Sequence, residues 1–398
     1  MAGTWARTAA VERIAAIGAA ALDGRALRRQ ALAVLGEVLG FDGYVWLLTD
    51  PVTMVGAAPL AHLPGLTDMA ELPAMIAAKY TADANRWTTL ARQPAPAGLW
   101  STAAAADPAR SPAWREVLSR HGTGDVASVV FADQFGCWGF LDLWRAASRG
   151  PFADADAGFL ARVAAPLAAG LRRCQALTFT SPAAAHRGDT GPVALTLGDD
   201  LRIMFRTAAS QAWLDVLLPP QPDERAVPAS VYNVAAQLLA AEAGIDDHPA
   251  SARTHLAEGF WLTLRAARLA VEAPSLPGSA APGPAAPGPA APGPSPAGSG
   301  PAGRPTASGP ATIVVTIEEA SASERLEVFG RACGLTARER ELLDVLATGG
   351  DTRAIARQLR LSEHTVQDHL KSIFSKTGAR DRVTVLSRAL GTRGRAGI

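Results

Sequence analysis

From Thr336 to Leu390, apolar positions recur every three to four residues, and the rhythm breaks only at turn-forming letters. Leu342, Leu343, Val345 and Leu346 make one stripe; Ile355, Ala356 and Leu359 a second; Val366, Leu370, Ile373 and Phe374 a third; Val383, Val385, Leu386 and Leu390 a fourth. Four helices are predicted. Their starts are marked by residues whose side chains accept orphan amides: Thr336 with Glu339 three positions on, Asp351 or Thr352, Ser362 and Asp381. Gly349-Gly350 ends the first helix by tolerating positive φ. Only Arg360-Leu361-Ser362 separates the second helix from the third, so the two cross steeply and the third turns one side outward. His364, Asp368, Lys371 and Ser375 occupy that outward side.

Upstream the period changes. Ala26 to Leu39 is amphipathic, Tyr44 to Leu48 reads as a strand, and Ala127 to Phe131 with Cys137 to Trp144 reads as an antiparallel hairpin across Asp133-Gln134-Phe135-Gly136. A helix from Phe159 to Cys174 closes this unit. Val193 to Leu197 and Leu201 to Phe205 form a second hairpin across Gly198-Asp199-Asp200. Helices over 208–217 and 228–241 follow, then a strand over 259–266 and another, Ile313 to Ile317, so that a five-stranded sheet is expected. Between those last two strands, residues 273–310 hold 12 Pro and 8 Gly with one charge, Arg304, and three copies of AAPGP. Such a stretch buries too little apolar surface to repay ordering and reads as a disordered linker. It either divides two domains or is inserted within one, and the strand beyond it favours insertion.

The C-terminal segment resembles the DNA-binding domain of LuxR/NarL-type bacterial regulators. The resemblance rests on Leu335-Thr336-x-Arg338-Glu339, Gly349, Ile355-Ala356-x-x-Leu359, Leu361-Ser362-x-x-Thr365-Val366-x-x-His369-Leu370, Lys376-x-Gly378 and Arg382. It implies that the third helix reads bases, with Glu363, His364, Gln367, Asp368 and Lys371 at the groove and Arg353, Thr365, Ser375 and Lys376 on the phosphate side. Where many members carry Lys, this chain has Gln367, and Asp368 adds a repulsive charge, so affinity per monomer is expected to be modest. The resemblance also implies that Arg338, Glu339 and Arg382 tie the first helix to the fourth, with Glu339 and Arg382 read as an ion pair. His369 lies toward the apolar side and is read as structural.

The pattern over 1–178 resembles a GAF domain, and that over 190–272 plus 311–320 resembles, more weakly, a PAS domain. The GAF resemblance implies a small-molecule pocket between the sheet and its covering helices, with Trp46, Trp87, Trp100, Trp114, Trp138 and Trp144 as candidate walls or ordinary core aromatics, and the PAS resemblance implies a second sensor. The expected fold class is α+β multidomain: a GAF/PAS-like α/β sensor region, the 273–310 linker or insertion, and an all-α four-helix helix-turn-helix domain over 330–392.

Charge sharpens this division. From Leu335 onward there are 12 Lys/Arg against 7 Asp/Glu, leaving 26 against 30 for the rest, so the basic end is the end expected to meet phosphate. Cys137, Cys174 and Cys333 form no close pair and suggest neither disulfides nor a zinc knuckle, and no cofactor or metal is expected. The N-terminus does not read as a signal peptide, and no apolar run approaches the ~18 residues of a membrane span, so a cytoplasmic protein is expected. A phosphoacceptor pocket is not recognisable, and the G-x-x-x-x-G-K-[ST] loop of ATP-using regulators is absent.

The expected function is sequence-specific binding of double-stranded DNA, by a homodimer that contacts RNA polymerase and responds to a small molecule or protein signal in its N-terminal half. Two other classes stay open: a helical module that acts through RNA polymerase or a sigma factor, and a GAF-type enzyme acting on a small molecule. Enzyme chemistry demands a nucleophile beside a base, whereas the seven His are scattered. The reading is therefore a regulator and not an enzyme.

Overall fold

The computed structural model describes residues 2–20, 23–64, 71–103, 119–180, 192–217, 229–256, 260–269 and 312–391. The 273–310 stretch and Trp114 lie outside them. In chain order come α1 (Ala2–Ala19), α2 (Gly24–Leu39), β1 (Gly43–Thr49), β2 (Gly56–His62), α3 (Leu72–Tyr80), α4 (Trp87–Leu90), β3 (Ala97–Leu99), α5 (Trp100–Ala103), β4 (Thr123–Asp133), β5 (Gly136–Ala146) and α6 (Asp154–Thr178). Then follow β6 (Val193–Leu197), β7 (Ile203–Arg206), α7 (Ala208–Leu217), α8 (Ala229–Glu242), β8 (Ser251–His255), β9 (Trp261–Arg268), β10 (Ile313–Glu319), α9 (Ala322–Ala332), α10 (Ala337–Ala347), α11 (Thr352–Leu359), α12 (Glu363–Thr377) and α13 (Arg382–Leu390).

The strands form two antiparallel sheets of five, ordered β2-β1-β5-β4-β3 and β7-β6-β10-β9-β8. In each sheet the order by sequence is second, first, fifth, fourth, third, so one architecture occurs twice. Strand alternation divides the first sheet's side chains between two cores. Trp46, Phe131, Leu141 and Leu143 face α1, α2 and α6, whereas Leu47, Val130, Cys137 and Phe140 face the opposite way, into a cluster with Tyr80, Trp87 and Leu90. That second cluster continues into the other sheet through α8, which packs against α3 and β2 on one side and against β8, β9 and β10 on the other. The two sheets therefore share apolar packing.

The six tryptophans offered as one pocket wall separate accordingly. Trp46 and Trp138 lie in the first cluster, Trp87 in the second, and Trp100 with Trp144 in a third, so the described five do not enclose one site. Trp46, Trp138 and Trp144 stand on β1 and β5 and Trp87 and Trp100 on α4 and α5, so nothing in their spacing brings them to one place.

The apolar pattern does not disclose β2, α3, α4, β3 and α5, nor α1 and β8. Helix α1 is Ala-rich and seats itself by close approach: a Cβ on Gly170 of α6 would stand 2.8 Å from the Gly18 Cα. The fifth strand of the second sheet is β8, whose sequence Ser-Ala-Arg-Thr-His does not alternate, yet whose Ala252, Arg253 and Thr254 are all buried. Strands β9 and β10 pair from Arg268 with Ile313 to Leu262 with Glu319, and the Leu269 amide donates to the Thr312 carbonyl at 2.9 Å. The Pro/Gly/Ala-rich stretch thus falls between two neighbouring strands of one sheet.

Candidate nucleic-acid interface

Four capped helices, α10 to α13, build the candidate interface. The Thr336 hydroxyl accepts from the Glu339 amide and the Glu339 carboxylate accepts from the Thr336 amide at 2.7 Å, closing a capping box. Asp351, Ser362 and Asp381 cap α11, α12 and α13 by accepting from Ala354, Thr365 and Thr384 at 2.7, 3.0 and 2.7 Å. Arg360 takes the left-handed conformation, φ 54°, which reverses the chain between α11 and α12 while the Leu361 amide returns to the Ala356 carbonyl at 2.8 Å. A residue with a side chain is uncommon there. The strain is held by Leu342, Leu346, Ile355, Val366, Leu370 and Ile373, all buried in one core.

This packing leaves one side of α12 in solvent. Glu363, His364, Gln367, Asp368 and Lys371 are exposed along it, as is Ser375 farther on. The side chains of His364 and Lys371 are 83% and 75% exposed. Both approach Asp368, His364 Nδ1 at 3.1 Å and Lys371 Nζ at 3.3 Å, so the carboxylate that would repel phosphate is flanked by two nitrogen groups. Arg353 of α11 reaches over to Glu363 at 3.6 Å. Thr365 is half-buried, its hydroxyl 2.8 Å from that of Ser362 in the helix cap.

Lys376 is placed differently from the other candidates. Its ammonium donates to both oxygens of Glu339 at 2.6 and 2.9 Å, and the Ser372 hydroxyl donates to the same carboxylate at 2.6 Å. Burial pushes the Glu339 carboxyl up, but Lys376, Ser372 and Thr336 outweigh burial and hold it down at about 2. The expected Glu339–Arg382 ion pair is not formed. Arg382 instead donates to the Thr352 hydroxyl, because it starts α13 beside the N-terminus of α11, whereas Lys376 on α12 faces Glu339 directly. Arg338 reaches the Leu359 carbonyl and Glu341, bracing the end of α11.

The sequence leads one to expect a helix from Ser323 to Cys333 that couples the second sheet to the first cassette helix, and α9 (Ala322–Ala332) stands there; its side-chain contacts on either side were not legible. Helix α9 meets α10 through Cys333-Gly334-Leu335, with Gly334 at φ 67° and the Leu335 amide donating to the Gly330 carbonyl at 2.9 Å. It also packs on α13, where Arg325 donates to the Arg388 carbonyl at 3.3 Å. On its far side, Phe329 meets Phe179 edge-on at 5.3 Å, and Phe179 stacks on Trp261 at 4.9 Å. Arg331 donates to the Phe135 carbonyl in the β4–β5 turn at 3.0 Å. The cassette is therefore docked on both sheet units.

Known proteins resemble this chain at its C-terminal end. The monoamine regulon transcriptional regulator of Klebsiella aerogenes is 44% identical over 54 residues, 14% of this chain and 24% of that protein. The probable HTH-type transcriptional regulator GfsR of Streptomyces halstedii is 39% identical over 74 residues, 19% and 30% of the two chains. The chain spans about a quarter to a third of the length of the curated relatives it matches. A crystal structure of Escherichia coli SdiA aligns over 98% of this chain and 97% of its own at 12% identity, with a TM-score of 0.28. The family match is confined to the segment built from α10 to α13: residues 334–389 fit the model described as GerE, bacterial regulatory proteins, luxR family.

Proposed function

We propose that this protein is a sequence-specific DNA-binding transcriptional regulator, in which α12 enters the major groove and the two sheet units receive a signal. The observation that carries the reading is the polar, solvent-facing side of α12, presented by a capped and packed four-helix scaffold. A helix held in this way can offer base-contacting groups without first ordering them. Lys371 is suited to a guanine edge and Gln367 to an adenine edge, while Glu363, His364 and Asp368 complete the groove face. Arg353, Thr365 and Ser375 are proposed on the phosphate side. Lys376, already committed to Glu339, supports that helix and adds little to phosphate affinity.

In this reading two copies pair on DNA, since one short helix reads few bases and symmetry supplies a second half-site. RNA polymerase is the further protein partner. The repeated strand order supports two related sensor units, GAF-like and PAS-like, with a small molecule as the effector. Enzyme chemistry finds little support in the cysteines: burial pushes Cys137 and Cys174 up to about 11 and Cys333 to about 12, away from the reactive thiolate. No helix among the described residues is long and apolar enough to cross a membrane.

A gel-shift measurement tests the reading. Lys371→Ala or Gln367→Ala should each weaken retention of a duplex selected on the wild-type chain by about 1–3 kcal/mol, with helical content unchanged. Unaltered sequence preference in both variants would remove the base-contact assignment. The log K against log salt slope should be about −3 to −5 per monomer, from roughly 0.9 per phosphate neutralised. A slope near −10, on the same rule, would place the binding on some other surface.

A further inference from the structure

Helix α9 joins the cassette to the sheet units, and one cation links it to both. Arg253 on β8 is buried, and its guanidinium grips Asp50, at the end of β1, in a two-pronged pair: Nε to Oδ2 at 2.6 Å and Nη2 to Oδ1 at 2.8 Å. The Arg253 amide also donates to Asp50 Oδ2 at 2.9 Å, and the remaining nitrogen, Nη1, donates to Glu327 of α9 at 2.7 Å. Asp50 has 0% exposure and turns its own loop by accepting from the Val52 and Thr53 amides at 2.8 and 3.1 Å. Burial pushes the Asp50 carboxyl up, yet the bonds from Arg253 outweigh burial and keep it below the usual carboxylate range.

A planar guanidinium held by two parallel bonds has no rotational freedom left, so its third donor points in one direction. That direction is α9, where Nη1 reaches the Glu327 carboxylate at 2.7 Å and the Glu324 carbonyl at 3.4 Å. Asp50, which itself makes no bond to α9, therefore fixes where α9 can sit, and α9 in turn packs on α13. We infer that Arg253 is a positioning residue of the cassette: it transmits the placement of the β1–β2 turn and the β8 edge, through Glu327, to the helices proposed to bind DNA. A signal that moves either element then shifts the cassette as a body. The functional meaning of this linkage rests on the DNA-binding reading, but its test needs no DNA, so the two fail separately.

Hydrogen exchange on the full chain tests it. Asp50→Asn and Glu327→Ala should each quicken exchange of the Val385 to Ala389 amides about tenfold, and the double variant should be no faster than the faster single one, because the first breaks the two-pronged pair that aims Arg253 and the second removes the carboxylate it is aimed at. Asp50 lies in a different unit from α13, so a role confined to its own loop would quicken residues 43–62 and 251–255 alone. That outcome, or effects that multiply in the double variant, overturns the inference. Glu327 has a 43% exposed side chain, so Glu327→Ala folds even where Asp50→Asn does not. Unchanged α13 exchange in Glu327→Ala is by itself sufficient to overturn it.

Discussion

Arg253→Met should destabilise the full chain by about 3–5 kcal/mol, the cost of leaving a buried carboxylate without its counter-charge. Methionine nearly fills the volume, so little of this loss is cavity. What remains is Asp50 at 0% exposure, still accepting from Val52 and Thr53 but deprived of the guanidinium that faced it. Either it stays ionised in a poor medium or it takes up a proton. A chemical denaturation series checks the magnitude, and a second variant checks the cause. With Asp50→Asn added, much of the loss should return, since the uncompensated charge is gone. A cost below ~1 kcal/mol for Arg253→Met, or no recovery in the double variant, contradicts the assignment of the effect to charge burial.

Glu339→Ala should cost the cassette about 3 kcal/mol, because one side chain closes the α10 cap and also takes Lys376 and Ser372 from α12. Glu339 is 3% exposed, and its removal leaves an ammonium without a partner. The pH dependence has a definite sign. The folded carboxyl sits at about 2, well under its unfolded value of roughly 4.3, so its contribution is complete above ~4.3 and is lost as pH falls toward 2. The wild-type cassette should therefore lose stability over that acid window, and Glu339→Ala should be flatter through it. Equal acid slopes in the two proteins would refute the Glu339 assignment. Lys376→Met should produce a similar slope change, whereas Arg382→Met should not, since Arg382 is occupied at Thr352.

The cassette was legible because its determinants are local. Thr336, Asp351, Ser362 and Asp381 each act on an amide within three residues, and the stripes Leu342–Leu346 and Val366–Ile373 need only helical period to be recognised. The partner of Glu339 was not local: Lys376 and Arg382 are both cations downstream, and only the crossing of α10 on α12 decides between them. Strand β8 shows the same limit more strongly. Its arginine is buried because an aspartate 203 residues earlier is waiting for it, and no period in Ser-Ala-Arg-Thr-His records that. The tryptophans were conspicuous in composition but uninformative in position, since they stand on two strands and two short helices that serve three separate clusters. Helix α1 escaped notice because it packs through Gly18 on Gly170, where the signal is the absence of a side chain.

The bond between Leu269 and Thr312 has a consequence for the length of this chain. Two neighbouring strands remain zipped to their ends there, so whatever intervenes departs and returns at a single point on the rim of the sheet. Closure entropy grows only as the logarithm of the enclosed length, about 0.6 kcal/mol per doubling. Copies of a short tandem unit can accumulate or vanish at such a point with almost no thermodynamic trace. Changing the length between Leu269 and Thr312 should therefore cost little stability while both flanking strands stay in register.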